Sequence, residues 1–138
     1  MVKLPPKVPG RLPVRGAAPP GPSLAERYPD WFQLGTVALA PGWTDLVERL
    51  FADLAAHLTA DDRARLQIAA VRERDGLLDI ALYQEVPAAR ALIDQAIAAS
   101  AGICQSCGAP GKRRRFTGWR ATFCTPCRRR WSAMKIGG

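Results

Sequence analysis

Residues 103–127 read ICQSCGAPGKRRRFTGWRATFCTPC and contain all four cysteines of the chain. They form two Cys-x-x-Cys pairs, Cys104/Cys107 and Cys124/Cys127, with sixteen residues between them. Each pair can turn two sulfurs toward one point, and the intervening stretch is long enough for a hairpin that brings the pairs together. The spacing lies within the range of four-cysteine zinc sites, so Zn2+ is the expected cofactor, with Cys104, Cys107, Cys124 and Cys127 as its ligands. Iron in a rubredoxin-like site would use the same four sulfurs. Two disulfides would suit a secreted domain, but the N-terminus is rich in Pro and Lys and no apolar signal segment follows. A redox role for Cys124-Thr125-Pro126-Cys127 would need a βαβ setting that the neighbouring pattern does not supply.

Between the pairs, Lys112-Arg113-Arg114-Arg115-Phe116 and Trp119-Arg120-Ala121-Thr122-Phe123 have the character of two arms of a ribbon. Gly108 permits a tight turn behind the first pair, so that backbone amides can point at sulfur. The second pair leads into a short helix through Arg130 and Met134. Metal binding supplies folding free energy to so small a module.

The chain of 138 residues carries a net charge of +8, unevenly spread. Residues 1–23 hold four basic residues and no acid; residues 24–101 hold seven arginines against twelve acids; residues 102–138 hold nine basic residues and no acid. So dense a basic segment attracts polyanions, which makes nucleic acid the first partner to consider and an acidic protein partner the second. The candidate binding residues are Lys112, Arg113, Arg114, Arg115, Arg120, Arg128, Arg129 and Arg130. Phe116, Trp119 and Trp131 either stack on bases or pack the ribbon, and packing is the expected role of Trp119. No apolar run approaches the roughly 20 residues that would span a bilayer, so a soluble protein with no membrane role is expected.

Working toward the N-terminus, Pro87 suits a first helical turn, and Ala89, Leu92, Ile93, Ala96 and Ile97 make one inward helical face that Gly102 can end. Asp75-Gly76 is a two-residue hairpin signal. With those two at the corner, Arg74 faces Leu77, Arg72 faces Asp79, Val71 faces Ile80 and Ala69 faces Leu82. One sheet face is then Ala69, Val71, Leu78, Ile80 and Leu82, the other bears an Arg72/Asp79 pair, and Glu73 sits at the apolar rim. Thr59 with Asp62 starts a short helical turn. From Trp43, the residues Leu46, Val47, Leu50, Phe51, Leu54 and Leu58 recur at helical spacing, with Thr44 as the expected cap. His57, the only histidine, lies at the edge of that stripe, where packing is the expected role.

The expected fold is α+β: two helices packed on a β-hairpin, followed by a small four-cysteine zinc ribbon, with a disordered N-terminal tail. The expected organisation is a Pro-rich basic tail over 1–23, an α-β-β-α domain over 24–101 and a zinc-ribbon-like basic module over 102–138. The tail contains seven prolines and almost no large apolar side chains, too few to offset chain entropy.

Gly42-Trp43, Arg72-Glu73-Arg74 with Gly76-Leu77, Cys104-x-x-Cys107-Gly108-Ala109-Pro110-Gly111, and Gly118-Trp119 leading to Cys124 together resemble a family of small, largely uncharacterised proteins encoded by bacteria and their phages. Asp75 stands where that family usually has an aromatic followed by an extra Gly, and Asp79 and Ile80 replace aromatics after the turn. The resemblance implies a bacterial or phage-infected cytoplasmic setting and no particular activity. Enzyme chemistry is not expected. A nuclease of the HNH class needs a histidine base, and residues 102–138 hold neither histidine nor acid. Four thiolates would also fill a tetrahedral ion and leave no position for a catalytic water.

Overall fold

A computed structural model describes residues 23–137. The expected tail therefore lies outside the described residues, except for Ser23, which belongs to the fold. Its hydroxyl accepts from the Glu26 amide while the Glu26 carboxylate accepts from the Ser23 amide, a reciprocal cap on helix α1 (Leu24–Arg27). The next residues supply an aromatic cluster that the sequence pattern did not reveal. Tyr28 stacks on Trp31 at 4.9 Å, and Trp31 and Phe32 both pack against Phe51.

The chain then enters strand β1 (Thr36–Ala38), a turn of 3-10 helix (Pro41–Trp43) and helix α2 (Thr44–His57). The apolar stripe behaves as its period requires, with Val47, Leu50, Phe51 and Leu54 buried. Thr44 is not the cap. Its hydroxyl instead donates to the Pro41 carbonyl at 2.8 Å, because the preceding 3-10 turn already leads the backbone into the helix. His57 is exposed at the last turn rather than packed, with Nδ1 3.0 Å from the Asp53 carbonyl. Thr59 accepts from the Asp62 amide and starts helix α3 (Ala60–Arg65) as expected. Arg63 reaches back to the Leu58 carbonyl at 2.6 Å and so closes the end of α2.

Strands β2 (Ile68–Arg74) and β3 (Leu77–Leu82) form the hairpin around Asp75-Gly76, both at positive φ (53° and 85°). That pair of angles suits the right-handed twist of the flanking strands. The expected register holds from the turn to Ala70 opposite Ala81, including an Arg72–Asp79 ion pair at 2.7 Å. It fails beyond, because an irregularity between Ile68 and Ala70 places Ile68, not Ala69, opposite Leu82. Burial follows: Ile68, Ala70 and Val71 are in the core while Ala69 is only half-buried. Glu73 does lie at the rim, where its carboxylate accepts the Gly76 amide at 2.7 Å.

The sheet has a third strand. β1 pairs in parallel with β2, Val37 opposite Val71, giving the order β1-β2-β3. Helix α4 (Pro87–Ser100) opens with Pro87 as expected; it packs on β3 and against α2. Ala89, Ile93 and Ala96 are buried, and Leu92 and Ile97 are partly so. One apolar core joins Leu24, Trp31, Phe32, Trp43, α2, the sheet and α4. Burying large apolar side chains at about 1.5–3 kcal/mol each makes this core the main source of stability.

The outer edge of β3 is covered by α4. Ser100, fully buried, accepts the Leu78 amide at 3.0 Å and donates to the Ile97 carbonyl, while Arg90 donates to the Ile80 carbonyl. Ser100→Ala strands a buried amide, so urea denaturation is expected to show a loss of about 1–3 kcal/mol. A loss within a few tenths of zero would show that water reaches that amide.

Candidate metal centre

Strands β4 (Lys112–Phe116) and β5 (Trp119–Phe123) form a separate two-stranded antiparallel sheet, and helix α5 (Thr125–Gly137) follows. The strand limits match the two arms read from the sequence, with Arg114 opposite Ala121 and Arg115 opposite Arg120. The first cysteine pair lies in a tight loop. The Cys104 amide donates to the Ala109 carbonyl at 2.7 Å, the Gly108 amide donates to the Cys104 carbonyl, and Gly108 has a φ of 86°. Gln105 ties this loop to β5: its amide donates to the Thr122 carbonyl at 2.8 Å and its side-chain oxygen accepts the Thr122 amide at 2.9 Å. The second pair sits where β5 ends and α5 begins, the Cys124 carbonyl accepting from the Arg128 amide.

All four sulfurs lie within 4.8 Å of one another. The Cys107 and Cys124 sulfurs are 3.7 Å apart and no disulfide is formed. Four sulfurs at ~2.3 Å from a central ion would form a tetrahedron with edges of about 3.8 Å. The cluster therefore fits a metal ion, and the observed 3.7 Å separation is nearly twice a disulfide bond length of about 2.05 Å. Cys104, Cys124 and Cys127 are buried, while Cys107 is half-buried. Burial pushes the Cys107 and Cys127 thiols above their ordinary range. At Cys104 burial acts in the same direction, but backbone amides of Cys124, Cys107 and Ser106 together outweigh it and lower the thiol.

An ion must displace the protons that Cys107 and Cys127 hold at neutral pH. Metal loading should therefore release protons, and the apparent affinity should fall as the pH falls. Calorimetric titration in buffers of different ionisation enthalpy measures the number released; a buffer-independent heat would contradict the reading.

The metal module and the α/β unit are joined at two points. At the first, the Gly42 amide donates to the Gln105 carbonyl at 2.8 Å, and Trp43 Nε1 donates to the Ile103 carbonyl at 2.9 Å. At the second, the hairpin corner lies on the β4–β5 sheet. Asp75 Oδ1 accepts the Arg120 amide at 3.0 Å, its Oδ2 faces Arg113 at 3.4 Å and Arg120 at 3.7 Å, and its carbonyl accepts Arg113 Nε. Thr122, fully buried, donates to the Gly76 carbonyl at 2.7 Å.

Among the candidate binding residues, Arg113 and Arg120 are therefore brought together by Asp75. Lys112, Arg114, Arg115, Arg128, Arg129 and Arg130 have no carboxylate partner among the described residues, and the buried Nε atoms of Arg114 and Arg128 find no acceptor there. Lys112, Arg115, Arg129 and Arg130 are exposed. Trp119 stacks on Phe116 at 4.6 Å and meets Trp131 edge-on at 5.2 Å, so both tryptophans serve the packing of the module. Asp75, Gly42, Gln105 and Thr122 escaped the sequence reading as parts of this centre. Their parts depend on contacts between segments distant in sequence, which no local spacing reports.

No helix among the described residues is long and apolar enough to cross a membrane. No protein-family model, curated protein or solved structure matches the chain.

Proposed function

We propose that this chain is a small, non-enzymatic zinc protein whose four-cysteine ribbon binds nucleic acid through its basic surface. The gathering of four sulfurs within 4.8 Å at the foot of an arginine-rich sheet and helix is the observation that carries this reading. Zinc is the better occupant because it is the common ion for tetrahedral thiolate sites and leaves no redox cycle to support. Cys104, Cys107, Cys124 and Cys127 would hold it, with a structural role: the ion clamps the loop, β5 and α5 together. Unpaired guanidinium groups near a folded sheet supply phosphate contacts, since each one that meets phosphate displaces condensed counterions. The resemblance to proteins of bacteria and phages supports a cytoplasmic setting.

The grip of Arg113 and Arg120 on Asp75 supports a second reading, in which an acidic protein partner docks on the same surface as an adaptor's target or an inhibitor's host complex. Affinity purification with and without nuclease treatment, paired with elemental analysis, separates the two. For the first reading, zinc should be stoichiometric and binding to generic DNA or RNA should weaken steeply with salt. Replacing Arg129 and Arg130 by Ala should flatten the plot of log K against log salt by about 0.7–0.9 for each phosphate that is no longer neutralised. A chain that binds neither nucleic acid nor heparin at low salt ends the nucleic-acid reading; a partner recovered after nuclease treatment favours the second.

A further inference from the structure

The two faces of the β4–β5 sheet differ in what holds their cations. Side chains alternate along each strand, so Arg113, Arg115, Arg120 and Thr122 share the face that meets the hairpin corner, where Asp75 engages Arg113 and Arg120. Lys112, Arg114, Phe116, Trp119, Ala121 and Phe123 share the opposite face. Helix α5 packs there. Trp131 meets Trp119 at 5.2 Å and Phe123 at 6.2 Å, and these two flank Ala121, which stands opposite Arg114. Arg128 precedes Trp131 by one helical turn and so lies on the same side of α5.

Along this seam between β4 and α5 the chain supplies donors and no acceptor. Arg114 Nε, Arg128 Nε and Trp131 Nε1 are buried and lack a hydrogen-bond partner among the described residues. A single orphaned donor is unfavourable, and three on one seam call for a shared acceptor. Residues 102–138 contain no Asp or Glu to provide it, and Asp75 serves the other face.

We infer that the β4–α5 seam is a clamp for one phosphate group, held by Arg114 and Arg128 with Trp131 Nε1 as the third donor. The inference deepens the nucleic-acid reading above and rests on it for the source of the phosphate. A tetrahedral oxyanion presents several acceptor oxygens in a small volume, which suits donors arriving from a strand and from a helix packed on it; the two oxygens of a carboxylate lie in one plane. Arg114 and Arg128 are only part-buried, and their terminal nitrogens are not among the covered atoms. The anion therefore enters between two flexible side chains while the backbone stays in place. Lys112, exposed on the same face, adds positive potential that draws phosphate toward the seam.

The test uses the full, zinc-loaded chain, with inorganic phosphate as the first probe and a short DNA duplex as the second. Calorimetric titration with phosphate at constant ionic strength should show one site. Arg114→Met and Arg128→Met keep the bulk of the side chain without its donors, and each should weaken phosphate binding by about 10-fold or more, the effect of losing a charge-assisted hydrogen bond. Trp131→Phe removes the indole N–H and should weaken it by about 3-fold or more. Arg129→Met, at the exposed position beside Arg128, should stay within about 2-fold, because a solvated charge outside the clamp is screened. Zinc stoichiometry and far-ultraviolet circular dichroism establish which variants are folded, and any one folded variant of the clamp suffices. With the duplex, the slope of log K against log salt should fall by about 0.9 in either arginine variant, and by the same amount rather than twice that in the double variant, since both guanidinium groups serve one phosphate. Absence of a phosphate site, unchanged phosphate affinity in a folded arginine variant, or slope losses that add in the double variant overturns the clamp and leaves the basic-surface reading standing. Phosphate binding that depends on both arginines, in a chain that binds no nucleic acid, keeps the clamp and overturns that reading. Binding of neither probe overturns both.

Discussion

Stripping the metal with a chelator, or replacing Cys124 by Ser, is expected to unfold the C-terminal module while leaving the α/β unit folded. The module has too little apolar mass to fold alone: its buried cluster is Ala121 and Phe123 with the cysteines, flanked by partly buried Phe116, Trp119 and Trp131. Ordering a segment of this length costs about 1.5 kcal/mol per residue, which a cluster of that size does not offset. Thiolate coordination supplies on the order of 10 kcal/mol in comparable zinc peptides, enough to decide between folded and unfolded. The α/β unit has its own core of α2, the three-stranded sheet and α4, in which no cysteine takes part. Chelation should therefore abolish the near-ultraviolet signal of Trp119 and Trp131 and open residues 102–131 to protease. Most far-ultraviolet ellipticity should remain. Metal removal verified by elemental analysis, with the module still protease-resistant, would show that the packing of the ribbon suffices without an ion.

The second large effect is expected from Gly42→Ala, far from the cysteines in sequence. A methyl group on Gly42 would lie 2.0 Å from the Cys104 carbonyl oxygen, 2.6 Å from the Gly108 amide and 2.8 Å from the Gln105 carbonyl carbon. All three are backbone atoms of the first cysteine loop, so no side-chain rotation can relieve the clash. Either the 3-10 turn before α2 moves away, breaking the Gly42–Gln105 and Trp43–Ile103 hydrogen bonds, or the loop deforms and splays Cys104 from Cys107. Overpacking of this kind costs about 1–3 kcal/mol or more, and the loss of two hydrogen bonds adds about 1 kcal/mol each. Denaturation of Gly42→Ala should show a loss of at least about 3 kcal/mol. Competition with a chromophoric chelator should show metal affinity reduced by about 10-fold or more, since misplacing one loop strains half of the ligand set. Wild-type affinity in a destabilised variant would mean that the turn yields and the loop does not.

Asp75 at the hairpin corner pairs with both Arg113 and Arg120 on the β4–β5 sheet, an arrangement that the separate charges of residues 24–101 and 102–138 foreshadow only in sum. The position tolerates Asp because Asp, like Asn, accepts a positive φ better than most residues. Asp75 thus has a local use, anchoring the corner to the sheet.

Several features were already present in the order of the residues, because each depends on near neighbours. The 3.6-residue stripe of α2, Pro87 at the start of α4, the Asp75-Gly76 corner and its register as far as Ala70, the limits of β4 and β5, and the meeting of four cysteines all belong here. Each is decided within a turn, a strand or one short loop. Tertiary structure alone decided the rest. Strand β1 pairs in parallel with a partner more than thirty residues away, and three residues carry no periodicity to betray it. Ile68 replaces Ala69 opposite Leu82 because an irregularity in one strand leaves no mark on the alternation of the other. The roles of Gly42 and Asp75 required two chain segments to be placed in space first, since a close approach or an ion pair between distant residues depends on where the whole backbone goes.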